Sequence, residues 1–119
     1  MGDFNALSPQ DNYDESELQE FIKQTQITKF GTDTIHFDLI NELVNYGLID
    51  SFKLFTNEFE KTVPTKYNSD VAHFMPLRLD YIFINKQLTS IVKSSKIINE
   101  SSTNLLSDHY PIVLMLPDT

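Results

Sequence analysis

Cysteine is absent from the 119 residues, and no apolar run approaches the roughly 20 residues that a bilayer-spanning helix needs. Without thiols the chain can form no disulfide framework, no structural zinc site of the cysteine type and no thiol nucleophile. A bound metal must therefore have oxygen or imidazole ligands. The N-terminus also lacks a charged start followed by an apolar stretch, so nothing marks a membrane protein or a secreted one, and the compartment stays open.

Basic residues are scarce as well, with nine Lys and Arg against 17 Asp and Glu, which gives a formal net charge of −8. This balance argues against a broad basic surface that follows a nucleic acid backbone. It disfavours a nuclease without excluding one, because a divalent cation can supply positive charge locally. The hydrophobic share of 40%, with nine Phe and five Tyr, is enough for one globular domain with a real core.

Two helices are predicted in the first half of the chain. We interpret the acidic run from Asp11 to Glu20 as a solvated helix start, with Asp14 and Glu17 in the positions of a capping pair, and predict a helix from about Glu15 to Thr25. A second helix should end just before Gly47, which is a plausible left-handed cap. The apolar face of this second helix consists of Phe37, Ile40, Leu43 and Val44.

Three strands are predicted in the second half, at Arg78–Asn85, Ile91–Ile98 and Tyr110–Leu116. The first and third are apolar on both faces, and we expect the first to be covered on both sides. Leu48–Phe55 is compatible with either a short strand or one more helical turn. The stretch Glu58–Pro76 is predicted to be a long loop, with a short strand near Thr62 and Val63. We expect His36, and His73 within this loop, to be surface or packing residues.

Acidic and amide side chains fall at the predicted strands and their ends. Asp80 lies inside a predicted strand, Asp108 and His109 directly precede another, and Asp3 and Asn5 follow what resembles the end of a third. Burying a carboxylate is costly unless it is paired or bound to metal. If these strand ends meet at one sheet edge, the five side chains form a cluster suited to a divalent cation and a phosphate.

Three segments together resemble the C-terminal motifs of the endonuclease/exonuclease/phosphatase superfamily. They are Gly2-Asp3-Phe4-Asn5, Arg78-Leu79-Asp80-Tyr81-Ile82-Phe83 and Leu106-Ser107-Asp108-His109-Tyr110-Pro111-Ile112-Val113. Their order and rough spacing match those of the family, over residues 2–113. The resemblance implies that residues 1–119 are the C-terminal portion of such a domain, with the N-terminal half absent.

The resemblance also implies a role for each motif residue. Asp3 would orient or deprotonate the attacking water, and Asn5 would donate a hydrogen bond to a phosphate oxygen or support the metal. Asp108 would be a ligand of Mg²⁺ or Mn²⁺, together with Asp3 and Asn5. His109 would contact the scissile phosphate as acid, base or hydrogen-bond donor, and Asp80 would accept from its other ring nitrogen.

The fold that the resemblance implies is of the α+β class. It is half of a four-layer α/β/β/α sandwich, in which a mixed, mainly antiparallel sheet has two helices on one face. The other half of the family's domain would supply an early Asn, a glutamate ligand and a further His. We therefore expect an incomplete metal site in residues 1–119, and an exposed sheet face through which the chain can self-associate.

Two functions from different classes remain open. The first is Mg²⁺- or Mn²⁺-dependent hydrolysis of a phosphate ester by in-line attack of water in the full-length parent protein, with residues 1–119 expected to be inactive alone. Nuclease and phosphatase are about equal within it, and the acidity is slightly against nucleic acid. The second is a non-catalytic, truncated or remnant domain that acts only in binding or association. Structural roles also exist for single residues: Asp3 and Asn5 as turn residues, Asp80 as the partner of Arg78, and Asp108-His109 as an ordinary loop dipeptide.

Overall fold

A computed structural model describes residues 1–67 and 75–118 of the chain, so the prediction for His73 lies outside the described residues. These ranges contain two α-helices and six short strands, which confirms the predicted α+β class. In chain order they are β1 (Gly2–Asp3), α1 (Glu15–Thr25), α2 (Asp38–Asn45), β2 (Ile49–Asp50), β3 (Asp80–Tyr81), β4 (Phe83–Ile84), β5 (Ser94–Ile97) and β6 (Ile112–Met115). Across the same ranges, the helices are too short or too polar to cross a membrane.

Local capping explains where helix α1 begins and ends, and its predicted bounds are confirmed. The Asp14 side chain accepts the Glu17 N–H at 3.1 Å, which satisfies one of the free donors of the first turn. At the other end Gln26 adopts a left-handed conformation (φ 58°) and its N–H donates to the Ile22 carbonyl. The helix buries one apolar face, formed by Leu18, Phe21 and Ile22.

Helix α2 also lies where it was predicted, and Gly47 follows it with φ 101°. A residue with a side chain rarely adopts this conformation, which is why glycine ends the helix here. The predicted apolar face is only partly buried, however: Ile40 is fully enclosed, whereas Val44 is exposed. Helix α2 is therefore held against the rest of the protein mainly through Ile40.

The strands form three antiparallel pairs, β1 with β3, β2 with β4 and β5 with β6, rather than the one larger sheet that was expected. The predicted strand Arg78–Asn85 is divided into β3 and β4. Ile82 lies between them, and its carbonyl accepts the Ser51 N–H. The division arises because this segment changes partner along its length, pairing with β1 before Ile82 and with β2 after it.

The largest core lies between α1 and the segment that leads into β3. Its buried members are Leu7, Leu18, Phe21, Ile22, Phe30, Val63, Leu77 and Leu79. Val63 and Leu77 also form an isolated antiparallel bridge, which is where the short strand near Thr62 and Val63 was predicted. This core fixes the chain on both sides of residues 68–74 and so sets the position of β3.

A charged cluster is buried beside this core, and Arg78 is at its centre with 1% of its surface exposed. Its guanidinium donates two hydrogen bonds to Asp50, at 2.6 and 3.1 Å, and its Nε donates to Asp11 at 2.9 Å. Lys53 adds a second cation at 3.0 Å from Asp11. Asp11 is thus buried and paired, so the interpretation of the acidic run as solvated is wrong at that residue.

Aromatic rings surround the Arg78 guanidinium. It lies 4.6 Å from the ring centroid of Tyr81 and 5.1 Å from that of Phe52, within the range of cation–π attraction. Burial raises the pKa of the Tyr81 hydroxyl, which stays protonated and donates to the carbonyls of Ala6 and Arg78. Burial alone would lower the pKa of Arg78, but its hydrogen bonds to Asp50 and the charges of both aspartates raise it overall.

Replacing Arg78 with Met should destabilise the fold strongly, because Asp11 and Asp50 would lose their shared partner inside the protein. Breaking one side of a buried charge pair typically costs about 3–5 kcal/mol. The free energy of unfolding, measured by urea denaturation, should fall by about that amount. The exposed Lys86 offers a matched control, and Lys86→Met should change it by less than about 0.5 kcal/mol. Equal stability of the two variants would contradict a structural role for the cluster.

Candidate functional site

Strands β1 and β3 place two carboxylates next to each other. Asp3 and Asp80 are directly opposite in the antiparallel register. The Cβ atoms of such a cross-strand pair lie about 4.5–5.5 Å apart, and like charges in this arrangement repel. A cationic group between the two side chains would offset this cost. The strand pairing thus creates a place that favours a positive charge.

His109 occupies the space beside both carboxylates. Its Nδ1 lies 2.7 Å from Oδ2 of Asp80, a hydrogen-bond distance, and its Nε2 lies 3.7 Å from Oδ2 of Asp3. One possible ligand atom from each of the three residues falls within 4.8 Å of the other two. Asp3 and His109, which are 106 positions apart in the sequence, therefore converge on one spot.

Contacts with residues 62–65 hold in place the loop that carries His109. The Tyr110 N–H donates to the Thr62 carbonyl at 2.9 Å, and Tyr110 itself is buried. Thr65, also buried, donates a hydrogen bond from its hydroxyl to the Ser107 carbonyl. Because residues on both sides of His109 are anchored, its imidazole is held in place by the fold rather than by its own contacts alone.

The turn after β1 is equally well defined. Gly2 has φ 124°, which favours glycine, and Asn5 has φ 48°, which asparagine tolerates better than most residues. Oδ1 of Asp3 accepts the backbone N–H of Asn5 at 2.8 Å and closes the turn. Phe4 stacks on Phe83 with ring centroids 5.6 Å apart, which anchors the turn to the strand segment beneath it.

Asp108 stands apart from the three residues that converge, whereas Asn5 lies next to them in the turn that Asp3 closes. Asp108 is exposed, accepts a hydrogen bond from the Ser107 hydroxyl at 3.3 Å, and lies outside the group formed by the other three. The side-chain oxygen of Asn5 accepts a hydrogen bond from Nζ of Lys29 at 3.0 Å. Of the three residues predicted to bind metal, Asp3 alone belongs to the converging group.

The structure also decides between the roles considered for Asp80. Arg78 pairs with Asp11 and Asp50, so the explanation of Asp80 as the partner of Arg78 is wrong. Asp80 is instead bonded to His109, with 11% of its side chain exposed. Its burial is thus satisfied by an imidazole from a different part of the chain.

Lys29 is a neighbour of the site that sequence reasoning missed. It follows α1 by four residues and lies 24 residues from Asn5 in the sequence. No motif, cap or periodicity marks it, because its position depends on the turn that begins at Thr28, where the Gly31 N–H donates to the Thr28 carbonyl. No local signal in the sequence identifies a contact of this kind.

The three converging residues offer two carboxylates and one imidazole. Oxygen ligands suit Mg²⁺, and a mixed set of carboxylate and imidazole also suits Mn²⁺. The side chains of Asp3 and His109 are 37% and 27% exposed, so an ion and a phosphate can reach them from solvent. The donor set fits a divalent cation in part, since an octahedral ion also needs ligands from water or substrate.

Comparison with models of protein families and with curated proteins finds no match to this chain. The functional interpretation therefore depends on the residues themselves and on their geometry.

The contact with Asp80 should fix the tautomer of His109. A carboxylate at Nδ1 accepts only from a protonated nitrogen, so the neutral ring should carry its proton on Nδ1 and leave Nε2 free. Long-range ¹H–¹⁵N correlation spectra, recorded at about pH 8.5 where an ordinary imidazole is neutral, should show this form. Asp80→Ala should give a mixture of tautomers, whereas His36, which is remote from Asp80 in sequence and exposed, should be unchanged. A Nε2-protonated His109 in the unaltered protein would contradict the assignment.

Proposed function

We propose that this chain carries part of a catalytic centre for metal-dependent hydrolysis of a phosphate ester, as in the endonuclease/exonuclease/phosphatase superfamily. The observation that supports it most is the convergence of Asp3, Asp80 and His109 within 4.8 Å. These residues come from the three motifs that resemble that superfamily. Like charges placed opposite each other repel, so this arrangement favours a positively charged group beside the two carboxylates.

His109 is the residue that would exchange a proton with the substrate. Its hydrogen bond to Asp80 leaves Nε2 on the side of Asp3, where it can donate to a phosphate oxygen or accept a proton. Asp80 would hold the ring in place and determine which ring nitrogen faces the substrate. In other carboxylate–histidine pairs the carboxylate likewise orients the imidazole that acts as the base.

Asp3 would orient the attacking water. Its Oδ1 is used by the turn, but its Oδ2 is directed toward Nε2 of His109 at 3.7 Å, which is wide enough to leave space for a further group near both. A bound Mg²⁺ or Mn²⁺ would supply positive charge to the phosphate oxygens. Asp108 is exposed on the adjacent loop, and its role as a ligand stays a prediction.

The substrate class is inferred from the chemical group that the site would contact. The converging residues recognise a phosphoryl group and leave the alcohol side of the ester unspecified, so both a phosphodiester and a phosphomonoester fit. The net charge of −8 disfavours a long nucleic acid, because binding such a polymer depends on many cationic contacts. We therefore favour a small phosphate ester slightly over a nucleic acid.

Replacement of His109 by Ala should lower the rate of phosphate ester hydrolysis by at least about 100-fold, since it removes the proton-transfer group. Asp80→Asn should lower it by about 10- to 100-fold, through loss of orientation. Both are measured with Mg²⁺ or Mn²⁺ on bis(p-nitrophenyl) phosphate and p-nitrophenyl phosphate, using the longest gene product that contains these residues. This choice allows for metal ligands that the resemblance places upstream.

The matched control is His36→Ala, because His36 is an exposed histidine that is not part of the converging group. It should retain activity within about twofold. Hydrolysis that survives in His109→Ala, or that does not depend on a divalent cation, would refute the proposed chemistry.

Association is a second candidate function, and one observation favours it. On strand β6 the side chains of Val113 and Met115 are 42% and 53% exposed, and Leu116 beyond them is also exposed. The protein is flat, with extents of 48 × 35 × 20 Å. The strand was predicted to be apolar on both faces, so this outer face would suit contact with another protein surface or a second copy.

Met115→Glu should weaken self-association of the chain by about tenfold or more, because a charge would be buried in an apolar contact. Sedimentation velocity over a range of concentrations measures the change. Tyr46→Glu adds the same charge at a residue that is 90% exposed, next to the end of α2, and should leave association unchanged. A chain that is monomeric at every concentration, or a dimer indifferent to Met115→Glu, would exclude this surface.

A further inference from the structure

The side chain of Asn5 is held by a single directional contact. Its Oδ1 accepts a hydrogen bond from Nζ of Lys29 at 3.0 Å, while its backbone N–H is bonded to Asp3. An asparagine amide has one end that accepts and one that donates, and a lysine ammonium can only donate. The contact with Lys29 therefore determines which end of the amide faces the lysine.

The other end of the amide remains available. Within residues 1–67 and 75–118, Nδ2 of Asn5 donates to no protein acceptor, and the residue is exposed. It lies two residues after Asp3, in the turn that also carries that carboxylate. A free N–H donor beside the carboxylate–histidine group is a suitable contact for an anionic oxygen and a poor one for a cation.

Lys29 is itself placed by the fold. The next residue, Phe30, is buried in the main core with 1% exposure, and its carbonyl accepts the His36 N–H at 2.9 Å. The following Gly31 has φ 107°, and a Cβ there would lie 1.9 Å from the Thr34 carbonyl oxygen, so only glycine permits this tight turn. The backbone of Lys29 is thus fixed next to the turn that carries Asn5.

We propose that Lys29 is a positioning residue, which orients the Asn5 amide so that its nitrogen donates to the phosphate of the substrate. The proposal rests on the proposed phosphoesterase function and assigns Asn5 to the phosphate rather than to the metal. A metal would bind the amide through Oδ1, and that atom is already bonded to Lys29. Lys29 acts through Asn5 and makes no contact with the substrate of its own.

A double-mutant cycle separates this role from simple attraction between a lysine and an anion. Binding of inorganic phosphate, with and without Mg²⁺, is followed through the side-chain amide resonances of Asn5 and the ring resonances of His109. Lys29→Met should weaken phosphate binding by about fivefold and Asn5→Ala by about tenfold, as expected for one hydrogen bond each. In the Asn5→Ala background, Lys29→Met should cost less than about twofold.

Two further variants complete the experiment. Lys29→Arg keeps a donor for Oδ1 and should restore binding, whereas Lys23→Met removes an exposed lysine in the last turn of α1 and should have no effect. A Lys29→Met penalty that is undiminished in Asn5→Ala would overturn the positioning role. The same holds if phosphate shifts His109 but not the Asn5 amide, in which case the proposed function stands. If phosphate shifts neither residue and no ester is hydrolysed, the proposed function fails and the role of Lys29 fails with it.

Discussion

The buried pairing of Arg78 with Asp11 and Asp50 is the constraint on which the rest of the structure depends. It joins three distant pieces of chain: the 3₁₀ helix that ends at Asp11, the end of β2 at Asp50, and the residue two places before Asp80. With Lys53 included, two cations and two anions balance inside the protein, so the cost of burial is offset only while all are present. Together with the hydrophobic core, this cluster determines the position of Asp80, since β3 begins two residues after Arg78.

The candidate site contrasts with the Arg78 cluster, because the charges of its side chains do not balance. Asp3 and Asp80 oppose each other across a strand pair, and the imidazole of His109 lies beside both. Inside the protein the fold compensates every buried charge, and among the described residues no buried side-chain nitrogen or oxygen lacks a partner. At the candidate site the part-exposed Asp3 lies opposite Asp80, which is hydrogen-bonded to His109. This contrast between the buried cluster and the part-exposed site is the feature on which the proposed metal-dependent function rests.

Helix bounds were predictable from sequence because their causes are local, whereas the α+β class was inferred from the family resemblance. Asp14 caps α1 through a residue three places away, and Gly47 ends α2 through its own backbone freedom. The pairing of Asp11 with Arg78 was not predictable, since it spans 67 residues and an acidic run has the same composition whether it is solvated or paired. The division of the strand at Ile82 was missed for a similar reason: periodicity shows which faces are apolar, not which strand is the partner. For Asp3, Asp80 and His109, the order of three motifs suggested a convergence that no single motif indicated.

The acidity of the chain limits how a phosphate can be held. A net charge of −8 repels a polyanion at long range. Attraction between the protein and a phosphate must therefore arise within a few ångströms of the site. Under the proposed function, three short-range features would be suited to that: a divalent cation held in part by Asp3, the Nε2 of His109, and the Asn5 amide oriented by Lys29. Each of them would act on one phosphoryl group, and none would follow a nucleic acid backbone. An enzyme built in this way would select its substrate by the geometry around a single phosphate, and its binding should depend only weakly on salt, in contrast to proteins that neutralise many phosphates at once.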